Sequence, residues 1–416
     1  MGFPGRELLF PQYAIHNKAA YMDDWNSKMG GLSNRTVSTD VIHQNGLAMF
    51  DTHNLYGSMM STASYEAMLA RRPGLRPLII TRSTFAGAGA KVGHWLGDNV
   101  STWEHYRNSI RSMLAFSSLY AFSMVGSDVC GFGGNTTEEL CARWAALGAF
   151  STFYRNHNSE GSIPQEFYRW ERVAESARRA IDIRYRLLDY LYTAMWRAST
   201  DGTPAVQPVF FHYPADRQTW ALDLLYFYGP GLLVAPVVDE GATEARVYLP
   251  PGALFYDWYS HEPIRGAGRE HILAGHDVTS IPLLIRGGAI VPARLRSAPT
   301  TAALRREGLE LLVALDADGR AAGELYLDDG VALDQAGRDS HVEFAFARGS
   351  LSIRGSFASH PDAPPPAVRR VVVLAPDPPG NAPVDRTAGR PVLYSRTFER
   401  VLELDREHYV RFYGGV

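Results

Sequence analysis

Arg76-Pro77-Leu78-Ile79-Ile80-Thr81-Arg82-Ser83 sets a short apolar run between a proline and two polar residues. Such a run, bounded by breakers, reads as a buried strand. A polar, glycine-rich stretch over 86–97 follows, and the pattern over 103–119 predicts a helix, with Ser101 and Glu104 placed to form a capping box. The alternation then repeats. Residues 122–126 read as a strand, 136–147 as a helix with a second capping box (Thr136, Glu139), and 148–153 as another strand. Phe167, Trp170, Val173, Ala177, Ile181, Tyr185, Leu188, Leu191 and Met195 step by three or four, which predicts one long helix over 164–197. Residues 208–211 are a further strand candidate. Upstream, part of a helix is expected at 65–69, and the first fifty residues are irregular. Strand–helix alternation at this spacing means βα units on a parallel sheet.

Helical periodicity nearly vanishes after Gly229. Short apolar runs at 232–238, 245–249, 281–285 and 309–315 are separated by Gly, Pro and Asp turns. Asp329-Gly330, between two apolar triplets, predicts a hairpin. The organisation expected is therefore α/β over 1–228, followed by all-β modules over 229–310 and 311–416.

At 416 residues, with hydrophobic content of 46% and charged content of 20%, the chain has ample core and is not a disordered one. The 41 basic and 44 acidic residues leave a net charge of −3, which argues against a nucleic-acid partner bound by phosphate neutralisation. No apolar run approaches the roughly 20 residues of a membrane span. No signal peptide is read at the start, where Met1-Gly2-Phe3-Pro4-Gly5-Arg6-Glu7 lacks a charged and then an apolar region. Aromatic content of 12% suits a protein that stacks against sugars or other flat ligands.

Polar residues gather just after the predicted strands: Arg82 and Ser83, then Asp98 in His94-Trp95-Leu96-Gly97-Asp98-Asn99, then Asp128, then Arg155-Asn156-His157-Asn158. In a parallel barrel the C-terminal strand ends converge on one mouth. Carboxylates and guanidinium there suit sugar hydroxyls, and aromatic rings suit the apolar sugar face. Each residue alone also fits a plainer role: Asp98 could prepare a helix start, Asp128 could be a turn carboxylate, and His157 could be a solvated loop residue. The grouping after three successive strands is what points to a site.

Cys130 and Cys141 fit either a short-loop disulfide or two buried thiols. Asn34, Asn99 and Asn135 open N-glycosylation sequons, although Asn99 adjoins the candidate Asp98. Three sequons and a possible disulfide tilt towards a secretory compartment. There is no P-loop, no dinucleotide-binding glycine motif and no H-E-x-x-H.

The runs Thr81-Arg82-Ser83-Thr84-Phe85-Ala86-Gly87, His94-Trp95-x-Gly97-Asp98-Asn99, Gly126-x-Asp128-x-Cys130-Gly131-Phe132 and Arg155-Asn156-His157-Asn158, in this order, resemble family 31 of the glycoside hydrolases. Asp51-Thr52-His53-Asn54-Leu55-Tyr56-Gly57 and Arg286-Gly287-Gly288 extend the resemblance, which runs from about Phe10 to Asp334. It implies the C-terminal half of a (β/α)8 TIM barrel, followed by proximal and distal β-sandwich modules. It implies a retaining α-glucosidase-type enzyme acting on α-glucoside oligosaccharides without cofactor or metal, in a secretory, extracellular or vacuolar–lysosomal parent. By residue, it makes Asp98 the general acid/base, with a pKa raised by burial near Trp95. Arg82, Trp95, Asp128, Phe132 and His157 would bind the sugar, and Cys130 and Cys141 would form a disulfide. Asn34 and Asn135 are the candidate glycan sites. Leu96 departs from the Thr that many α-glucosidases carry there.

A larger departure concerns the nucleophile. The family's attacking Asp lies in a Trp-x-Asp-Met-Asn-Glu type motif, upstream of the segment resembled by residues 11–17, and this sequence does not contain that motif. Asp23 and Asp24 lie downstream in a context that does not match. A retaining glycosidase needs two carboxyls about 5–5.5 Å apart, so the expectation is a fragment that is inactive by itself. Such a half-barrel would have open sheet edges. Two other readings compete with it: a non-catalytic carbohydrate-binding homologue, and an α-xylosidase or transglycosidase of the same family.

Overall fold

The computed structural model describes Leu8 and residues 36–358, 366–376 and 394–412. Asp23, Asp24, Asn34 and the 11–17 segment lie outside the described residues. Helix α1 (Tyr56–Arg71) precedes strands β1 (Ile80–Thr81) and β2 (Gly93–Trp95). Helix α2 (Trp103–Tyr120) leads to β3 (Val125–Gly126) and β4 (Asp128–Val129), and α3 (Glu138–Gly148) leads to β5 (Arg155–Asn156). Strands β1, β2 and β3 pair in parallel in that spatial order, and β4 pairs in parallel with β5. Consecutive strands that lie side by side are the winding of a barrel wall, not of a doubly wound sheet whose order reverses. Among the described residues, β1 pairs only with β2.

Several local expectations move. Both helix caps sit one residue later than the capping boxes proposed: Thr102 accepts the His105 N–H at 3.2 Å and Thr137 accepts that of Leu140 at 3.3 Å. Glu139, the reciprocal partner expected for Thr136, instead accepts the Gly241 N–H at 2.8 Å. The strand expected over 148–153 is absent, because side chains take the place of ladder bonds. Ser151 donates to the carbonyls of Gly148 and Phe153, and Thr152 accepts the Val125 N–H at 2.8 Å. The long helix is two, α4 (Glu171–Arg186) and α5 (Leu188–Thr200), broken at Leu187 where ψ is 7°. The apolar period runs through the break, so the pattern does not register it. Residues 209–211 form a 3-10 turn rather than a strand.

The β modules start earlier than the change in sequence style. Strands β6 (Val206–Gln207), β7 (Tyr226–Tyr228), β8 (Leu232–Val234), β9 (Ala245–Leu249), β10 (Leu254–Asp257), β11 (Pro263–Arg265), β12 (Arg269–Leu273) and β13 (Leu283–Arg286) form the first module. Six of these make one sheet in the order β11-β10-β13-β8-β7-β6, which takes in residues before 229. The antiparallel ribbon β9–β12 shares a core with it: Val247, Leu249 and Leu273 pack with Phe227, Leu233 and Phe255.

Strands β14 (Ala289–Arg294), β15 (Leu309–Ala314), β16 (Ala321–Leu327), β17 (Ser340–Ala347), β18 (Ser350–Ser356), β19 (Ala367–Leu374), β20 (Tyr394–Glu403) and β21 (His408–Arg411) form the second module, which begins before 311. Their order is β20-β19-β15-β14-β16-β17-β18-β21, with β14 and β16 joined through the single pair Ala289–Ala322. Pairing follows apolar register, not composition, which is why both modules reach back across the expected boundaries.

The Asp329-Gly330 hairpin does not form. β16 pairs with β17, closing at Leu327–Ser340, and residues 328–339 are a loop. Asp329 accepts the N–H groups of Val331 and Ala332, while Ala332 bridges to Leu75 in the barrel portion. Buried Asp328 receives Arg76 Nη2 at 2.6 Å and the Tyr192 hydroxyl at 2.8 Å, so the turn is drawn into the junction with the barrel. Arg143 on α3 ties the barrel portion to the first β module: it is buried and donates to the carbonyls of Asp277, Ala242 and His276. Among the described residues, no helix is long and apolar enough to cross a membrane.

Candidate active site

The parallel strands deliver the polar residues to one mouth. Arg82 follows β1 directly, Trp95 ends β2 with Asp98 three residues on, Asp128 opens β4, and His157 follows β5. Arg82 Nη1 lies 3.4 Å from Asp98 Oδ2, and both side chains are about half exposed, at 55% and 49%. Gly97 makes that approach possible. Its φ is +81°, and a Cβ there would come 2.8 Å from Arg82 Nε.

Asp128 sits differently, with its side chain 1% exposed. Its Oδ1 accepts Arg155 Nε at 3.0 Å and also Arg155 Nη2. Its Oδ2 is buried and has no hydrogen-bond partner. Burial pushes the Asp128 carboxyl above the usual range, and the Arg155 hydrogen bond and charge pull it back only in part, with Asp98 adding to the rise. The Arg155 guanidinium lies 5.5 Å from the centre of the Trp95 ring and 5.4 Å from that of Phe153, in the range of cation–π attraction. Trp95 and Phe132 are half-buried, and Phe132 meets exposed His157 at a ring separation of 5.4 Å. His94, beneath the mouth, is buried, donates its Nδ1–H to Thr81 O at 3.1 Å, and has its pKa lowered by burial.

The loop that carries Asp128 to Phe132 turns through two left-handed residues, Cys130 at φ +73° and Gly131 at φ +95°. A Cβ on Gly131 would strike the Ser101 backbone at 2.5 Å, so the turn requires glycine. The Cys130–Cys141 disulfide ties this turn to α3.

All six sequence-identified residues thus lie at the same strand ends, yet one expectation changes. Asp98 is exposed, not buried beside Trp95, because Gly97 swings it outward to Arg82. Asn99 is buried and occupied: its Nδ2 donates to Asp128 O at 2.9 Å, and its Oδ1 accepts the Phe132 N–H at 2.9 Å. It is a loop clamp, not a glycan acceptor. Asn135 is exposed. Sequence reading placed Arg155 in a motif without a role, and the partner of a buried carboxylate becomes visible only when two strands are paired, here through Asp128–Arg155. Among the described residues, no cluster of three His, Cys, Asp or Glu side chains could hold a metal.

Residues 11–194 match the model of the glycosyl hydrolases family 31 TIM-barrel domain, and residues 202–291 match that of the family 31 C-terminal domain. A protein named "Probable alpha/beta-glucosidase" from Aspergillus flavus is 56% identical over 361 residues, 86% of this chain and 40% of its own length. A "Probable alpha-glucosidase" from Oryza sativa is 43% identical over 342 residues, covering 81% of this chain and 37% of that protein. The crystal structure of a Tris-bound glucosidase II alpha subunit superposes with a TM-score of 0.80 at 27% identity, over 91% of this chain and 44% of that one. An α-xylosidase from Xanthomonas citri, at 23% identity and a TM-score of 0.73, shares the fold. The chain spans about two fifths of the length of the curated relatives it matches. The matched domains, the parallel strands with their site-bearing ends and the following β modules assign this chain to family 31 of the glycoside hydrolases.

Proposed function

We propose that this chain carries the acid/base carboxylate and the sugar-binding floor of an α-glucosidase-type retaining site for terminal α-linked glucose. The observation that carries the reading is the buried Asp128, held on Oδ1 by Arg155 while Oδ2 stays unpartnered, directly beside the mouth that Arg82, Asp98 and His157 rim. An unpaired buried carboxylate oxygen is costly unless something else bonds to it, and a sugar hydroxyl is a suitable donor.

In a complete retaining site an attacking carboxylate would bond to the anomeric carbon while Asp98 protonated the departing glycosidic oxygen, and Asp98 would then take a proton from the water that displaces that carboxylate and frees glucose. Arg82, 3.4 Å away, orients it. Trp95, Phe132 and His157 offer ring surface to the sugar face, and Asp128 holds its hydroxyls. The attacking carboxylate is not among these groups. Asp128 is committed to Arg155, and the sequence holds no Trp-x-Asp-Met-Asn-Glu run. The chain by itself is therefore proposed to bind α-glucosides without cleaving them. Glycans at Asn135 and Asn34, and a secretory or vacuolar–lysosomal setting for a full-length parent, belong to the same proposal.

Titration of the 416-residue chain with maltose tests the reading. Binding that falls at least tenfold in both Asp128→Ala and Arg82→Ala is expected, with no glucose released. Absence of binding by the folded wild-type chain, or binding indifferent to both substitutions, would overturn it.

A further inference from the structure

Gln165 lies beyond the mouth in sequence, between Pro164 and Glu166, and its side chain reaches back into it. It is 3% exposed. Its Nε2 lies within hydrogen-bonding distance of four oxygens: Gly131 O at 3.0 Å, Asn156 Oδ1 at 3.1 Å, Val129 O at 3.2 Å and His157 O at 3.3 Å. Two of these belong to β4 and the loop after it, and two to the segment at β5. Three are backbone carbonyls, which only accept, so the amide must present its NH2 group to them. Asn156 returns the contact by donating Nδ2 to Gln165 O at 2.9 Å.

The need for such a clamp comes from the turn itself. Two consecutive left-handed residues, Cys130 and Gly131, lift the loop out of strand geometry, so the Gly131 carbonyl lies beyond the two-residue β4–β5 ladder. β4 and β5 pair over only two residues each, Asp128–Arg155 and Val129–Asn156. Beyond those pairs the Ser159 N–H donates to Phe132 O at 2.8 Å, and Gln165 adds to that bond in setting the spacing of Phe132 and His157. Gln165 also keeps its own Oε1 buried without a partner, a stability cost that a purely structural residue would be expected to shed.

We propose that Gln165 is a positioning residue that joins the Asp128–Phe132 turn to the His157 segment and so sets the width of the sugar-binding floor. The inference rests on the function proposed above, and it is tested by one measurement that needs no sugar and one that does. Gln165→Met keeps side-chain length and removes the amide. Hydrogen exchange in residues 128–133 and 155–159 should speed up together, by tenfold or more, while α3 exchanges as in the wild type. Maltose affinity should fall at least tenfold. Ser176→Ala, which removes a buried hydroxyl bonded to Ala142 O on α3, should lower the melting temperature and leave maltose affinity within twofold. Unchanged exchange in the two segments would overturn the proposal, as would affinity that merely follows stability in both variants. Should Gln165→Met fail to fold, Asn156→Ala removes one acceptor and the return bond, and must loosen the same two segments. If the wild-type chain binds no maltose yet the exchange result holds, the function falls and the positioning role stands.

Discussion

The two carboxylates of the mouth make opposite use of the chain around them. Asp128 is sealed, ion-paired and backed by Asn99, Arg155, Gln165 and the Cys130–Cys141 link, all supplied by residues of the same short region. Asp98 stands half in solvent, held by a single 3.4 Å contact to an equally exposed Arg82. A sugar-binding floor can be built locally from two adjacent strands and their turns. A working acid/base needs water excluded around it, and the groups near Asp98 leave it half in solvent.

The sharpest way to break this contrast is to remove each carboxylate in turn. Asp128→Ala leaves Arg155 half-buried without its partner and should cost about 1–3 kcal/mol in urea unfolding. Asp98→Asn should change stability by no more than about 0.5 kcal/mol, because an exposed pair contributes little. Equal losses would erase the distinction. Cutting the disulfide with Cys141→Ala should cost about 2–3 kcal/mol, given the short loop of 11 residues in sequence separation, and should loosen the Asp128 side alone.

The pH dependence separates the two regions more finely. The Asp128 carboxyl is raised in the folded state, so its ionisation opposes folding, and that opposition fades as pH falls through the raised value towards 3.8. Wild type should therefore gain on Asp128→Asn as the solution is acidified, in paired unfolding curves. A different group acts in the first β module. His212 is half-buried against Phe227, its Nε2 has no partner, and desolvation lowers its pKa from 6.5 to about 4. A depressed base stabilises the fold above its unfolded pKa, and that contribution is lost as pH falls from 6.5 towards about 4. His212→Leu should flatten the stability profile over that window. An unchanged slope would mean that His212 is hydrated in solution.

The residues of the proposed site are legible in the sequence because they are local: each follows its strand within a few positions, and motif order alone gathers Arg82, Trp95, Asp98, Asp128, Phe132 and His157. What the sequence hid is what depends on pairing. Arg155 becomes the partner of Asp128 only through strand register, and Gln165 reaches the mouth across a loop. The exposure of Asp98 turns on the left-handed Gly97. The module boundaries were misplaced for a related reason: β6 and β14 look like connections by composition and are strands by register. Asp329-Gly330 has a hairpin's local chemistry, yet Arg76 and Tyr192 claim the neighbouring Asp328 from another module.

The proposed function has sugar-binding and acid/base groups in this chain without an attacking carboxylate. The most direct test incubates the 416-residue chain with maltose and measures bound sugar and released glucose together. Binding without release is the predicted result. Glucose release that disappears in Asp98→Asn would contradict the claim, because it would show a complete pair of carboxylates within this chain.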